Sequence, residues 1–169
     1  MSLRWQHFPR SQPPSALCRQ TVEVFEHKHS TIDSRSHDYN SDKVLSLLAD
    51  DLRLLGFQIE KGKKKDDKIA IPVLFGENGR ISKAFHADGY HIVSKYMLEV
   101  EAGRGFTNYQ FLKDLFQACA CDNVDSLAVA VRNDYKGSDD FSKVCTFMDT
   151  VFSSRRFALP LKEVLVIGY

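Results

Sequence analysis

The chain has 169 residues, 43% hydrophobic and 27% charged, with a formal net charge of +1 at neutral pH. That length holds one domain with a real core but not two independent ones, and the composition is that of a globular chain, which excludes a disordered tail. The balanced charge excludes a strong overall field for nucleic acid, leaving local patches to do any such binding, and no run approaches the roughly 18 apolar residues of a membrane span.

Residues 1 to 17 carry prolines at 9, 13 and 14 with little periodicity and read as an irregular arm. A helix from Cys18 to about His29 and a polar loop from Ser30 to Asn40 complete an N-terminal segment, 1–40, set apart from a core domain over 41–169. From Ser41, a candidate cap, Val44, Leu45, Leu47, Leu48, Leu52 and Leu55 recur at helical spacing, and Gly56 can end the helix. Strand-like runs follow at Phe57 to Glu60, Ile69 to Phe75, Ile81 to Val93 and Tyr96 to Glu101, with basic "KGKKKDDK" before the second and the turn "GENGR" after it. Asn108 to Cys121 predicts a helix with Leu112, Leu115, Phe116 and Cys119 on one face. The continuous apolar run "SLAVAV" at 126–131 suits a strand covered on both faces. Phe141, Val144, Cys145, Met148 and Val151 mark a further helix, and "EVLVIG" at 163–168 a last buried strand. The order predicts an α/β fold, a mixed central sheet flanked by helices on both faces. The cysteines at 18, 119, 121 and 145 form no CxxC pair and read as reduced, mostly buried, small hydrophobes. With no signal-peptide core at the N-terminus, a cytoplasmic location is the default expectation.

The segment "YMLEVEAGRG" at 96–105 places two glutamates in an otherwise apolar strand. Side chains two apart share a face, so Glu99 and Glu101 point one way while Leu98 and Val100 point the other. A two-residue hairpin loop at Ser94-Lys95 would set Tyr90 opposite Glu99 and Asp88 opposite Glu101, so that three carboxylates converge. Such a group repels itself or takes up protons unless a cation sits within it. Mg²⁺, which prefers oxygen ligands and keeps waters and substrate phosphate around it, makes phosphodiester chemistry the natural candidate. Two plainer readings stand beside this one: Asp88-Gly89 is also a hairpin-turn signal, and "EVE" also suits an edge strand with one solvated face.

Asp88, an eleven-residue spacing, "EVE" on the next strand, then a helix and a buried strand resemble the PD-(D/E)xK nuclease superfamily, with the restriction endonuclease-like fold. As an order of elements the resemblance runs from about Ser41 to Tyr169; as a residue motif it covers three positions. Ala87 stands where the family often has proline. Glu101 stands at the usual lysine position, a variation similar to that of BamHI-type enzymes, with glutamine there in the BglII type. The resemblance implies that Asp88, Glu99 and the backbone carbonyl of Val100 hold Mg²⁺, with Mn²⁺ as a substitute. Glu101 would orient or deprotonate the attacking water or hold a second metal, and Lys113 would be a lysine supplied from the following helix. The implied partner is DNA, and cutting both strands at one site would favour a homodimer.

Around this motif, Arg104 in "AGRG" is placed to meet a phosphate, and Gln110 and Lys113 lie three apart near a helix start that favours anions. Lys63 and Lys64 could track a phosphate backbone, although Asp66 and Asp67 interrupt the run and a solvated loop explains it too. His86 shares a face with Asp88. There is no Walker loop, GxGxxG, GxSxG or CxxC zinc pattern. The functional expectation is Mg²⁺-dependent hydrolysis of DNA phosphodiester bonds by an endonuclease. Its rivals are a non-catalytic nucleic-acid- or protein-binding member of the same fold and a structure-selective nuclease resembling junction resolvases.

Overall fold

The computed structural model describes residues 3–62, 64, 67–103 and 109–169. Among the described residues, eight strands and four α-helices follow one another as β1 (Arg4–Phe8), α1 (Ala16–Ile32), α2 (Ser41–Leu54), β2 (Gln58–Ile59), β3 (Ile69–Phe75), β4 (Ile81–Ala87), β5 (Gly89–His91), β6 (Tyr96–Glu101), α3 (Gln110–Ala120), β7 (Ser126–Val131), α4 (Asp140–Ser153) and β8 (Glu163–Gly168). Six strands form the central sheet in the order β1-β8-β7-β6-β5-β2, and β3 and β4 form a separate two-stranded sheet. β6, β7 and β8 run parallel, while β1, β5 and the β5–β2 pair add antiparallel neighbours. The fold is therefore mixed α/β.

Strand periodicity divides the core. Tyr96, Leu98, Val100, Ala128, Ala130, Leu165 and Ile167 face α1 and α2, where Phe25, Leu48 and Leu52 are buried. The alternate residues Met97, Leu127, Val129, Val131, Val164 and Val166 face α3 and α4 through Phe111, Leu115, Val144 and Met148. Because β7 and β8 are covered on both sides, every residue of both strands is buried, which is why each reads as an unbroken apolar run.

Several local expectations change. The irregular arm contains β1, which pairs with β8 along its whole length and closes that side of the sheet, and α1 begins at Ala16 with Ser15 as its cap. Asn40, not Ser41, caps α2, its Oδ1 accepting from the Lys43 amide at 2.9 Å. The strand expected over Ile81 to Val93 breaks at Asp88, where the chain passes from the small sheet to the central one. The hairpin into β6 turns through Ile92 to Lys95, with Lys95 at φ +50°, so Tyr90 lies opposite Met97 and Gly89 opposite Leu98. A two-residue loop needs residues that accept positive φ in succession, and Ser-Lys lacks the usual Asn-Gly chemistry, so the longer turn prevails. The register thus differs by two residues. Asp88 comes level with Glu99 instead of Glu101, but an even shift leaves every side chain on its expected face.

Candidate functional site

The site lies at the C-terminal end of β6, the end at which open α/β sheets bind ligands. β6 runs between β5 and β7, so "EVE" is not on an edge strand. Glu99 and Glu101 belong to the α3 face, and Glu99 is only 6% exposed. Asp88 reaches them because Gly89 lets β5 lie tightly against its neighbours. A Cβ at Gly89 would come within 3.1 Å of Ile59 Cδ1 and 3.2 Å of Leu98, a closeness no side chain fits without displacement. The Asp-Gly pair therefore serves close strand packing and a change of sheet, not a hairpin turn.

Asp88 Oδ2 accepts a hydrogen bond from the Val100 amide at 2.8 Å, fixing the carboxylate at the end of the β5–β6 ladder. Within a strand the N–H and C=O of one residue point to the same side, so the Val100 carbonyl leaves β6 toward Asp88 as well. These groups line a cleft of about 480 Å³ with Glu101, Lys113, Gln117 and His86, and Glu60, Asp42 and Lys68 stand at its wall.

Negative charge is crowded here. Burial is the main reason Asp88 is pushed up to about 6, against the opposing hydrogen bond from Val100. Burial also raises Glu99 well above the carboxylate range, with Asp88 and Asp114 adding repulsion. Glu101 is raised to about 8, by burial first and then by Asp114. Asp114 is raised by burial, against Lys113. Lys113 is held above its ordinary value because the neighbouring carboxylates outweigh its own desolvation. Among the described residues, Glu99 Oε1 is buried with no hydrogen-bond partner, while the buried Asp114 has the Lys113 ammonium 3.3 Å from Oδ1. Buried carboxylate oxygens without donors are uncommon, and the Glu99 oxygen, at the cleft, is one that a cation or a proton would satisfy.

Asp88, Glu99, Val100, Glu101 and Lys113 thus come together as the sequence suggests. Gln110 opens α3 but does not line the cleft; Lys113 and Gln117 are the α3 residues that do. Lys64 is exposed and also lies outside the lining, whereas Lys68 is within it and forms an ion pair with Glu60 at 3.7 Å. Lys63 and Arg104 lie outside the described residues. The expected apolar face of α3 is rotated by about one residue. Phe111, Leu115 and Ala118 are buried, and Phe116 is 67% exposed.

Three acidic contributors escaped the sequence reading: Glu60, Asp42 and Asp114. Glu60 is set against Asp88 by the β2–β5 pairing, its amide donating to the Asp88 carbonyl at 2.9 Å, a relation visible only once the strands pair. Asp114 had a legible signal, because it shares the helical stripe of Phe111, Leu115 and Ala118 and is therefore an acid on a core face.

The donor set suits a hard divalent cation. Two carboxylates and a backbone carbonyl are oxygen ligands of the kind Mg²⁺ accepts, and the orphaned Glu99 oxygen is one that a cation would satisfy. Among the described residues, no three His, Cys, Asp or Glu side chains are already gathered as a ligand group. Ligands beyond Asp88 and Glu99 would therefore come from backbone, water or substrate. No family model, curated protein or solved structure matches this chain.

Proposed function

We propose that this protein is a Mg²⁺-dependent endonuclease that hydrolyses DNA phosphodiester bonds, related to the PD-(D/E)xK superfamily and carrying glutamate at the usual lysine position. The observation that carries the reading is the convergence of Asp88, Glu99, Glu101 and Lys113 in one cleft at the end of β6, with a buried Glu99 oxygen that no donor among the described residues reaches. Asp88, Glu99 and the Val100 carbonyl would hold the cation, with Mn²⁺ as a substitute. When bound, the cation supplies charge neutralisation at the phosphate and activation of water. Glu101, lining the cleft beside Asp88 and Glu99, takes the proton of the attacking water in its ionised form. Lys113 presents its ammonium to the phosphate oxygens, and Lys68 extends that positive contribution along the cleft wall. Among the described residues no helix is long and apolar enough to cross a membrane, and a cytoplasmic location accords with a DNA substrate.

The test is cleavage of plasmid and oligonucleotide DNA, linear and branched, with Mg²⁺, Mn²⁺ or EDTA, using the parent and Glu99→Ala. Cutting that requires the cation and drops at least ~100-fold in the variant is the expected result, since even outer partners of metal ligands cost that order. A folded parent that binds no divalent ion and cuts no substrate would refute the nuclease reading and leave a binding role. Preference for branched DNA would identify a structure-selective nuclease.

A further inference from the structure

We propose that Asp114 is a positioning residue whose task is to hold Lys113 over the cleft, an inference that rests on the nuclease reading for its consequence but not for its geometry. Asp114 is fully buried on α3, and its ion pair among the described residues is with Lys113, whose Nζ lies 3.3 Å from Oδ1. Successive residues on a helix point about 100° apart and do not ordinarily face each other. Lys113 starts on the flank of α3 and its side chain is 55% exposed, yet its ammonium turns back toward the buried Asp114 carboxylate. That path brings the ammonium to the cleft wall beside Glu99 and Glu101.

A charged residue on a core stripe needs a reason, because an apolar side chain of similar size would generally be no less stable there. Glu99 and Glu101 cannot supply the anchor by themselves. Both line the cleft, so a cation bound there would neutralise the attraction that draws the lysine in. Asp114 lies behind the lining residues, and its charge remains for Lys113 when the cleft is filled. The long, flexible lysine stem then stays over the phosphate instead of returning to solvent.

Two measurements on the full chain test this with the parent, Asp114→Asn, Lys113→Met and the double variant. The first is the rate of reductive methylation of the Lys113 amine without metal, read by mass spectrometry against Lys162, which pairs with Asp125 far from the cleft. Asp114→Asn should speed modification of Lys113 severalfold and leave Lys162 unchanged. The second is Mg²⁺-dependent cleavage. Asp114→Asn should lower kcat about tenfold with little change in KM, and the double variant should be no slower than Lys113→Met. Faster methylation in a protein that cuts no DNA would retain the positioning role and reject the nuclease reading. Unchanged methylation, or kcat losses that multiply in the double variant, would overturn the proposal. Should Asp114→Asn not fold, the smaller neutral Asp114→Ser is read in its place.

Discussion

Glu99 and Glu163 are buried to nearly the same degree, 6% and 7% exposed, and lie in the same sheet two strands apart, yet their surroundings differ in kind. At the N-terminal end of β8, Glu163 accepts from Ser15 Oγ at 2.5 Å and from the Ser15 amide at 3.2 Å, with His7 Nε2 at 3.4 Å. It joins β1 and the start of α1 to the sheet. Glu99, toward the C-terminal end of β6, has an oxygen with no donor among the described residues and three carboxylates around it. Burial does not separate these two acids; accounting for each oxygen does.

The contrast can be broken most sharply at Glu163. Glu163→Ala would strand the Ser15 donors and His7, and a loss of about 3 kcal/mol in unfolding free energy is expected by denaturant titration. Glu99→Gln should leave stability unchanged or higher, because it removes a repelled charge. A protein destabilised by Glu99→Gln and indifferent to Glu163→Ala would reverse the assignment.

The crowded end also predicts a pH dependence. Asp88 and Glu101 have folded-state values of about 6 and about 8, above their ordinary 3.8 and 4.5, so the folded state binds protons more tightly than the unfolded one. Their contribution to stability is complete below about pH 4 and is lost as pH rises through 6 and then 8. With coupling and partial solvation discounted, the metal-free protein should lose about 2 kcal/mol across that window, or roughly 5 °C in Tm. Mg²⁺ should restore Tm at pH 8 and do little at pH 5; a flat metal-free profile would show that the carboxylates do not repel as described.

The smallest effect concerns the packing that delivers Asp88. Gly89→Ala should cost about 1 kcal/mol, since its Cβ would press on Ile59 and Leu98, and should reduce metal affinity by shifting Asp88. Calorimetry of metal binding checks the second part: a stable variant with parental affinity would show that the close approach is unnecessary.

Much of the molecule was legible because period and length encode it. The strands at 69–75, 96–101, 126–131 and 163–168 have the bounds their apolar patterns indicate, and the shared face of Glu99 and Glu101 follows from strand geometry alone. Gly56, at φ +97° just beyond α2, is the stop its position suggests. Less legible was β1, because "RWQHF" has no clear alternation and becomes a strand only by pairing with β8. The α3 face was misjudged by about one residue because apolar side chains occupy both candidate stripes, and Phe116 turns outward against Phe85, with ring centroids 6.5 Å apart.

By itself, then, the sequence determined the elements, the mixed α/β class and the pairing of two carboxylates on one strand face, since all of these depend on spacing along a single segment. Only the tertiary structure decided which further charges join them. Asp88 comes level with Glu99 through a four-residue turn, Glu60 arrives by strand pairing, and Asp114 stands behind the cleft because α3 packs with that face inward. Interactions between distant segments are set by register and packing, and neither is written in any one stretch of chain.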